Sequence, residues 1–212
     1  MAPPNKSQAV ATAGGRRSQR KQGPRERLLA AGKQLFSENG YEATSTSSIA
    51  SQAGTSESQL MRYFGGKAGL LEEIFNVGWV SLNDVIKSQV IAAPTGRDAI
   101  LAVLETLNHA FHNDEALARI YLFEGRRIRG VEHEVFISEG FLRFRELIHA
   151  LIQRGLGDGS FEKNLPEAAL VSALIGCAEG MIRDQLLARR TGEIADFSAK
   201  DIRAVVSAIL GG

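Results

Sequence analysis

Four polar side chains lie close together between residues 57 and 62. They are Glu57, Ser58, Gln59 and Arg62. Helical spacing predicts that these groups face outward and that Leu60, Tyr63 and Phe64 face inward. An amide and a guanidinium are the groups that pair bidentately with adenine and guanine edges in the major groove of DNA. The segment is therefore a candidate for a short helix that reads bases.

The residues on either side predict how this helix is held. Gly54 ends the preceding helix, because glycine takes the left-handed conformation that a tight turn between helices needs. Ser56 offers an N-cap hydroxyl, and Gly65-Gly66 stop the helix before Lys67 begins the next one. A short exposed helix behind a tight turn is typical of a helix-turn-helix.

The upstream residues complete a unit of three helices. Pro24 suits the first turn of a helix that carries apolar residues at a spacing of three and four and stops at Gly40. Thr44 or Ser45 caps a second helix, which runs to Ala53. The base-reading helix is then the third of the unit.

Residues 25–75 resemble the DNA-binding domain of the TetR family of bacterial transcriptional regulators. The matching landmarks are Leu35, Phe36, Gly40, Tyr41, Thr44, Ile49, Ala50, Ala53, Gly54, Ser56, Leu60, Tyr63, Phe64, Lys67 and Leu70. Five positions depart from the family pattern: Met61 replaces a Tyr that touches a phosphate, Ser58 replaces a Gly, Thr46 and Ser47 replace an apolar-plus-basic pair, and Gly32 replaces an Ala. We therefore expect no phosphate contact at residue 61 and a somewhat unusual set of DNA contacts.

The resemblance also implies which side chains meet DNA. Thr44, Tyr63 and Lys67 match family positions that hold the DNA backbone. From their own chemistry, we expect Gln59 to read a base edge and Arg62 to read guanine or grip a phosphate. The expected DNA-binding residues are Arg25, Thr44, Ser45, Ser56, Ser58, Gln59, Arg62, Tyr63 and Lys67.

The rest of the chain predicts helices throughout. The expected helices are 68–93, 98–112, 114–129, 131–154, 166–190 and 199–210, with a loop over 155–165. The expected fold is all-α: a three-helix helix-turn-helix DNA-binding domain followed by a helical-bundle ligand-binding and dimerisation domain. The expected domains are a disordered basic N-terminal arm (1–23), the DNA-binding domain (24–67) and the ligand-binding and dimerisation domain (68–212).

The last two long helices pair with their copies in the family, which implies a homodimer here. The residues that suit such an interface are Leu170, Ala173, Leu174, Cys177, Met181, Val205 and Ile209. An ordinary core within one chain would give the same stripe. A helix-turn-helix normally needs two copies to read a pseudo-palindrome, and this favours the dimer.

A ligand cavity is the least specific of these expectations. Its candidate residues are Trp79, Asn83, His109, Phe123, Phe136, Phe144, Met181 and Gln185, with Phe111 and Phe141 beside them. Core packing explains each aromatic residue taken alone. Ten Phe against three Tyr favour a mainly apolar ligand. His109 and His112 have a spacing that a metal accepts, but no Cys or second His pair accompanies them, so we expect no metal and no cofactor.

Charge is distributed unevenly along the 212 residues. Residues 1–67 hold ten Lys/Arg against four Asp/Glu, whereas residues 68–212 hold fifteen against twenty. Positive charge at one end suits a module that faces phosphates. The basic arm before Pro24 either reaches along DNA or is a solvated tail. A single Cys fits a reducing cytoplasm, and no stretch has the length of a signal peptide core or a membrane span.

These patterns together imply a ligand-responsive DNA-binding regulator. We expect a repressor that binds a pseudo-palindromic operator as a dimer and is released by a small, mainly apolar effector, without a membrane partner and at the nucleoid in the cytoplasm. The alternative is a dimeric transcriptional adaptor or activator with altered DNA contacts. An enzyme is disfavoured, because the chain has no Gly-rich phosphate loop, nucleophile elbow or metal-ligand cluster. Its one thiol, Cys177, lies in an apolar run typical of a buried residue.

Overall fold

The structure is a computed structural model that describes residues 23–125, 128–129, 134–135, 138–161, 166–192 and 197–211. These residues are almost entirely helical, which confirms the all-α prediction. They form two compact units, one ending at Ile74 and the other beginning at Phe75. No helix among the described residues is long and apolar enough to span a membrane. The expected N-terminal arm lies, apart from Gly23, outside the described residues.

The elements follow one another in a simple order. The helices are α1 (Pro24–Asn39), α2 (Thr46–Gln52), α3 (Glu57–Phe64), α4 (Lys67–Ala92), α5 (Gly96–Asn113), α6 (Glu115–Arg119), α7 (Glu139–Asp158), α8 (Glu167–Thr191) and α9 (Ala199–Ile209). A π-helical turn, Ile120–Glu124, continues α6. Two short strands, β1 (Ile128–Arg129) and β2 (Glu134–Val135), pair antiparallel.

The first unit is organised by helix caps. Ser45 caps α2 by accepting a hydrogen bond from the Ser48 N–H at 3.1 Å, and Ser56 caps α3 by accepting one from the Gln59 N–H at 3.3 Å. Gly54, between the two helices, has a φ of 60°, which a residue with a Cβ adopts only with strain. These caps and this turn confirm the predicted helix-turn-helix and fix where α3 begins.

In the second unit, α5 packs against α7, α8 and α9, and α7 packs against α8. The start of α5 lies very close to the end of α7, since a Cβ on Gly96 would lie 2.2 Å from the Gly155 nitrogen. Asp158 fastens this crossing, because its carboxylate accepts the Gly96 N–H at 2.7 Å. Position 96 therefore requires glycine, because any side chain there would clash with the backbone of α7.

Three predicted helix boundaries are wrong. The helix expected over 114–129 ends with the π-helical turn at Glu124, and Gly125 is extended. The helix expected over 131–154 begins instead at Glu139, because the Ser138 hydroxyl caps α7 by accepting from the Phe141 N–H at 3.3 Å. It then continues to Asp158 and ends at Gly159, which has the left-handed conformation typical of a helix C-cap.

Candidate DNA-binding surface and ligand cavity

Helix α3 separates an inward face from an outward face. Leu60 is fully buried and anchors the inward face, which stabilises the unit by about 2 kcal/mol. The outward residues are Glu57, Ser58, Met61 and Arg62. Gln59 is half-buried, and its side-chain carbonyl accepts a hydrogen bond from the Thr55 hydroxyl. The polar face expected from the sequence is therefore present, with an apolar residue in its middle.

Arg62 and Tyr63 form a pair at the end of α3. The Arg62 guanidinium donates to the Tyr63 hydroxyl at 3.0 Å and lies 4.8 Å from the centre of its ring. Tyr63 is 36% exposed, so the sequence expectation that it points inward is wrong. A cation and a hydroxyl held together at the surface can serve a phosphate as a joint donor pair.

Lys67 connects the first turn of α4 to the segment between α1 and α2. Its ammonium donates to the Tyr41 and Thr44 carbonyls, both at 2.9 Å, and lies 4.2 Å from the centre of the Tyr41 ring. An ammonium has three N–H donors, so one remains for another acceptor. Lys67 thus fixes the residues that lead into the cap of α2.

Two residues expected to touch DNA are used inside the unit. Thr44 is only 3% exposed, and its hydroxyl donates to the Gly40 carbonyl at 2.7 Å. Arg25 forms an ion pair with Glu73, and its guanidinium lies 5.5 Å from the centre of the Phe64 ring. The Thr44 hydroxyl is therefore turned away from solvent, whereas Arg25, whose side chain is 41% exposed, stays a predicted DNA contact.

The N-terminal turns of α2 and α3 are linked directly. The Thr46 hydroxyl donates to the Glu57 carboxylate, which lies in the first turn of α3, where a negative charge suits the helix dipole. The hydroxyls of Ser45, Ser56 and Ser58 belong to exposed residues nearby. This edge of the unit is therefore rich in hydrogen-bonding groups.

The second unit contains an apolar cavity. The cavity volume is about 50 Å³. The lining residues are Phe75, Trp79, Ile100, Val103, Leu104, Leu107, Phe111, Tyr121, Leu122, Gly125, Ser138, Phe141, Phe144, Ile148, Leu174, Ile175, Ala178, Glu179 and Ile182. Trp79 stacks on Tyr121 and on Phe144, each with ring centres 5.1 Å apart. Stacked rings give this cavity a fixed shape and a mainly hydrocarbon wall.

Tyr121 is a polar point on this wall. Its hydroxyl donates to the Phe75 carbonyl at 2.8 Å. Gly78 makes room for it, because a Cβ there would lie 2.3 Å from the hydroxyl. Burial, with a smaller contribution from the Asp114 carboxylate, raises the pKa of Tyr121 above its ordinary value. Tyr121 is therefore a neutral hydroxyl at physiological pH.

Half of the expected cavity set is placed elsewhere. Trp79 and Phe144 line the cavity, as do Phe111 and Phe141. The exposed His109 contacts Asn113 at 2.8 Å, and Asn83 is half-buried away from the lining. Three further residues contact neighbours outside it: Phe123 lies beside Arg183, Met181 lies 3.7 Å from the Cys177 sulfur, and Gln185 donates to the Phe197 carbonyl. Phe136 lies outside the described residues.

Most of the aliphatic residues of the cavity wall were not predicted from the sequence. Ile100, Val103, Leu107 and Phe111 recur at helical spacing along α5 and line the cavity together. Their period identifies a buried face but does not distinguish a cavity wall from a filled core. Tyr121 was missed because the helix around it was predicted to be regular, whereas it lies in the π-helical turn.

The stripe expected to form a dimer interface is divided by the fold. Leu170 and Leu174 are buried within the chain, so they are wrong as interface residues. The remaining members reach the surface in different degrees: Ala173 and Val205 are exposed, and Cys177, Met181 and Ile209 are half-buried. Burial raises the pKa of the Cys177 thiol above its ordinary value. The part of the predicted stripe that reaches the surface is therefore narrower than expected, and small side chains form most of it.

Clusters of acidic, histidine or cysteine side chains that could hold a metal do not occur in the described ranges. His112 instead accepts a hydrogen bond from Arg189 at 2.6 Å. The described cavity wall contains Glu179 as its ionisable carboxyl group, beside the Tyr121 phenol. This lining suits binding of an apolar molecule and offers no arrangement for nucleophilic or metal-assisted catalysis.

Known proteins resemble the chain in both units. Residues 28–74 match the model of bacterial regulatory proteins of the TetR family. The transcriptional repressor KstR2 of Rhodococcus jostii (strain RHA1) is 28% identical over 145 residues, which are 68% of this chain and 71% of the relative.

Solved structures share the fold across most of their length. The fatty acid degradation regulator FadR from Bacillus halodurans has a TM-score of 0.76 at 21% identity, covering 90% of this chain and 97% of its own. FadR from Bacillus subtilis, solved in complex with stearoyl-CoA, has a TM-score of 0.76 at 17% identity, covering 88% and 98%. Residues 28–74 thus form a helix-turn-helix domain of the type found in the TetR family of bacterial regulatory proteins, the helical second unit shares its fold with solved regulators, and the comparisons support a transcriptional regulator rather than an enzyme.

Proposed function

We propose that the protein is a repressor that binds a pseudo-palindromic operator as a homodimer and is released when a small, mainly apolar effector enters its cavity. The observation that carries this proposal is the aromatic cavity of the second unit, in a chain whose first unit presents the outward face of α3. The effector shifts the protein between two states by its differential affinity for them. A regulator of this kind works at the nucleoid.

The proposed DNA contacts come from exposed or half-exposed groups. Gln59 reads a base edge, because its amide carries two N–H donors and its carbonyl keeps a second lone pair beside Thr55. Arg62 and Tyr63 hold a phosphate or a guanine as a pair. The proposed supporting hydroxyls are those of Ser45, Ser56 and Ser58.

The proposed dimer surface is the exposed side of α8 with part of α9. Beside Ala173 and Cys177, this side carries Gly176 and Gly180, where an added Cβ would meet no atom within 4 Å. Small residues allow another helix to approach closely. Val205 supplies an apolar side chain, 42% exposed, on α9. Substituting Ala173 by Glu is expected to yield a monomer in sedimentation.

We propose that the apolar part of this effector, which enters the cavity, is a long acyl chain carried as a thioester. A relative with this fold was solved with stearoyl-CoA, and the wall described above is mostly hydrocarbon. A free fatty acid carries a carboxylate, and the described lining residues include no Lys, Arg or His that could pair with it. The thioester carbonyl is uncharged, so its burial costs much less.

DNA binding is tested with sheared genomic DNA from the source organism. Fragments retained by the protein at moderate salt are sequenced beside those retained by a basic control protein. Enrichment of one pseudo-palindrome supports the proposal. The absence of enrichment contradicts it and favours the alternative, a dimeric adaptor that acts through another regulator.

Effector release is tested on the enriched duplex with stearoyl-CoA, stearic acid and coenzyme A. We expect release by stearoyl-CoA alone. Ala178→Leu adds bulk to the lining and should weaken the response at least tenfold, whereas Ala168→Leu, an exposed position on the same helix, should not change it. Equal responses in the two variants would contradict binding in this cavity. Equal release by stearic acid would contradict the thioester class.

A further inference from the structure

An apolar side chain stands in the middle of the outward face of α3. Met61 is 54% exposed and lies one helical turn after the exposed Glu57 and Ser58. Gly66, just beyond the helix, has no side chain to cover it. Any duplex that meets this face of α3 meets Met61.

This exposure is unusual within the first unit. Among its described residues, the large apolar side chains that are at least 36% exposed are Met61 and Tyr63. Tyr63 is engaged through both its ring and its hydroxyl by Arg62. The neighbours of Met61 on this face are the polar residues Glu57, Ser58 and Arg62. Packing inside the unit therefore does not account for an apolar residue at this position.

The major groove offers few partners to such a side chain. Base edges present hydrogen-bond donors and acceptors and a single apolar group, the C5-methyl of thymine. Methionine has no donor, and its thioether sulfur is a weak acceptor. We propose that Met61 contacts a thymine methyl and thereby determines sequence preference at one position of each half-site. This inference rests on the proposed function, since it requires an operator.

The expected effect is modest and specific. Losing one methyl from an apolar contact costs about 0.8 kcal/mol, which is about fourfold in affinity. The loss should appear at one thymine of the half-site. It should also disappear when the side chain that makes the contact is removed.

The experiment uses the full chain and the enriched pseudo-palindromic duplex. Each thymine of a half-site is replaced in turn by deoxyuridine, which lacks only the methyl group. Affinities are measured for the wild type, Met61→Ala and Met61→Leu. We expect one position where deoxyuridine weakens the wild type and the Leu variant about fourfold and leaves the Ala variant unchanged.

Two results would overturn the proposal. The first is a wild type that is indifferent to deoxyuridine at every position. The second is a deoxyuridine loss of the same size in the wild type and in Met61→Ala. Val80→Ala, which truncates a side chain 62% exposed in the second unit, is the matched control and should bind like the wild type. If no duplex is enriched, the proposed function itself fails, and this inference fails with it.

Discussion

The two units use their side chains in different ways. In the first unit, polar groups hold backbone segments at defined places, as Lys67 does with the Tyr41 and Thr44 carbonyls. In the second unit, the cavity is shaped by close packing, as where Tyr121 fits against Gly78. The helix caps of the first unit, at Ser45 and Ser56, can be read from a local pattern of residues. A cavity depends on which apolar faces meet, and that is decided by the whole fold.

The largest expected effect tests close packing in the second unit. Gly96→Ala would place a methyl group 2.2 Å from the Gly155 nitrogen, and the backbone cannot give way as a side chain can. We expect a loss of about 3 kcal/mol in the free energy of unfolding, measured with denaturant. Gly157→Ala is the control, because its added Cβ meets nothing within 4 Å, and it should gain about 0.5 kcal/mol. Equal stability of the two variants would contradict a backbone contact at the crossing.

The next effect tests the polar organisation of the first unit. Lys67→Ala removes two charge-assisted hydrogen bonds to carbonyls, and we expect it to lower stability by about 2 kcal/mol and to weaken binding to every duplex. Because the ammonium acts mainly on the protein, the dependence of affinity on salt should stay nearly unchanged. A salt slope reduced by about one would show instead that Lys67 neutralises a phosphate. Lys87→Ala, exposed on α4, is the control.

The same contrast explains what the sequence could and could not reveal. The caps at Ser45 and Ser56 and the turn at Gly54 are local, so their positions followed from residue types. The cap at Ser138 is equally local but was hidden by an apparently continuous helical pattern around it.

The cavity wall was predicted less well for a physical reason. Phe123 and Phe144 are the same residue type on helical elements, yet one lies beside Arg183 and the other lines the cavity. Likewise, Leu174 carried the expected small and apolar pattern of an interface but lines the cavity from α8. Periodicity assigns a residue to a face, whereas the partner of that face depends on packing between distant segments.

The second unit also contains a polar contact, at Asp158, which tests whether close packing alone stabilises that unit. Hydrogen bonds from the Ser160 hydroxyl and the Gly96 N–H hold the pKa of Asp158 below its ordinary value. The unfolded chain therefore takes up the proton first as the pH falls. The stabilisation is complete above the ordinary value of about 3.9 and is lost as the pH falls through the lowered value.

The variant Asp158→Asn lacks this dependence on pH. Its melting temperature should lie below that of the wild type at pH 7, and the difference should shrink below about pH 4. Asp84→Asn, an exposed position on α4, should match the wild type at both values. A difference that persists unchanged at low pH would assign the role of Asp158 to packing. Close packing, and not the polar contact at Asp158, would then stabilise this part of the second unit.

The smallest effect concerns Cys177, on the surface that we propose for the dimer. Its half-buried thiol has a raised pKa because of burial, so less of the reactive thiolate is present at pH 8 than in a free cysteine. We expect labelling at least several-fold slower than in the unfolded chain. If the dimer covers α8, dilution into the monomer should speed the reaction, and Ala173→Glu should do the same without dilution. A rate that is equal at all concentrations and in the Ala173→Glu variant would place the dimer contact elsewhere, because the thiol would then be shielded by its own chain alone.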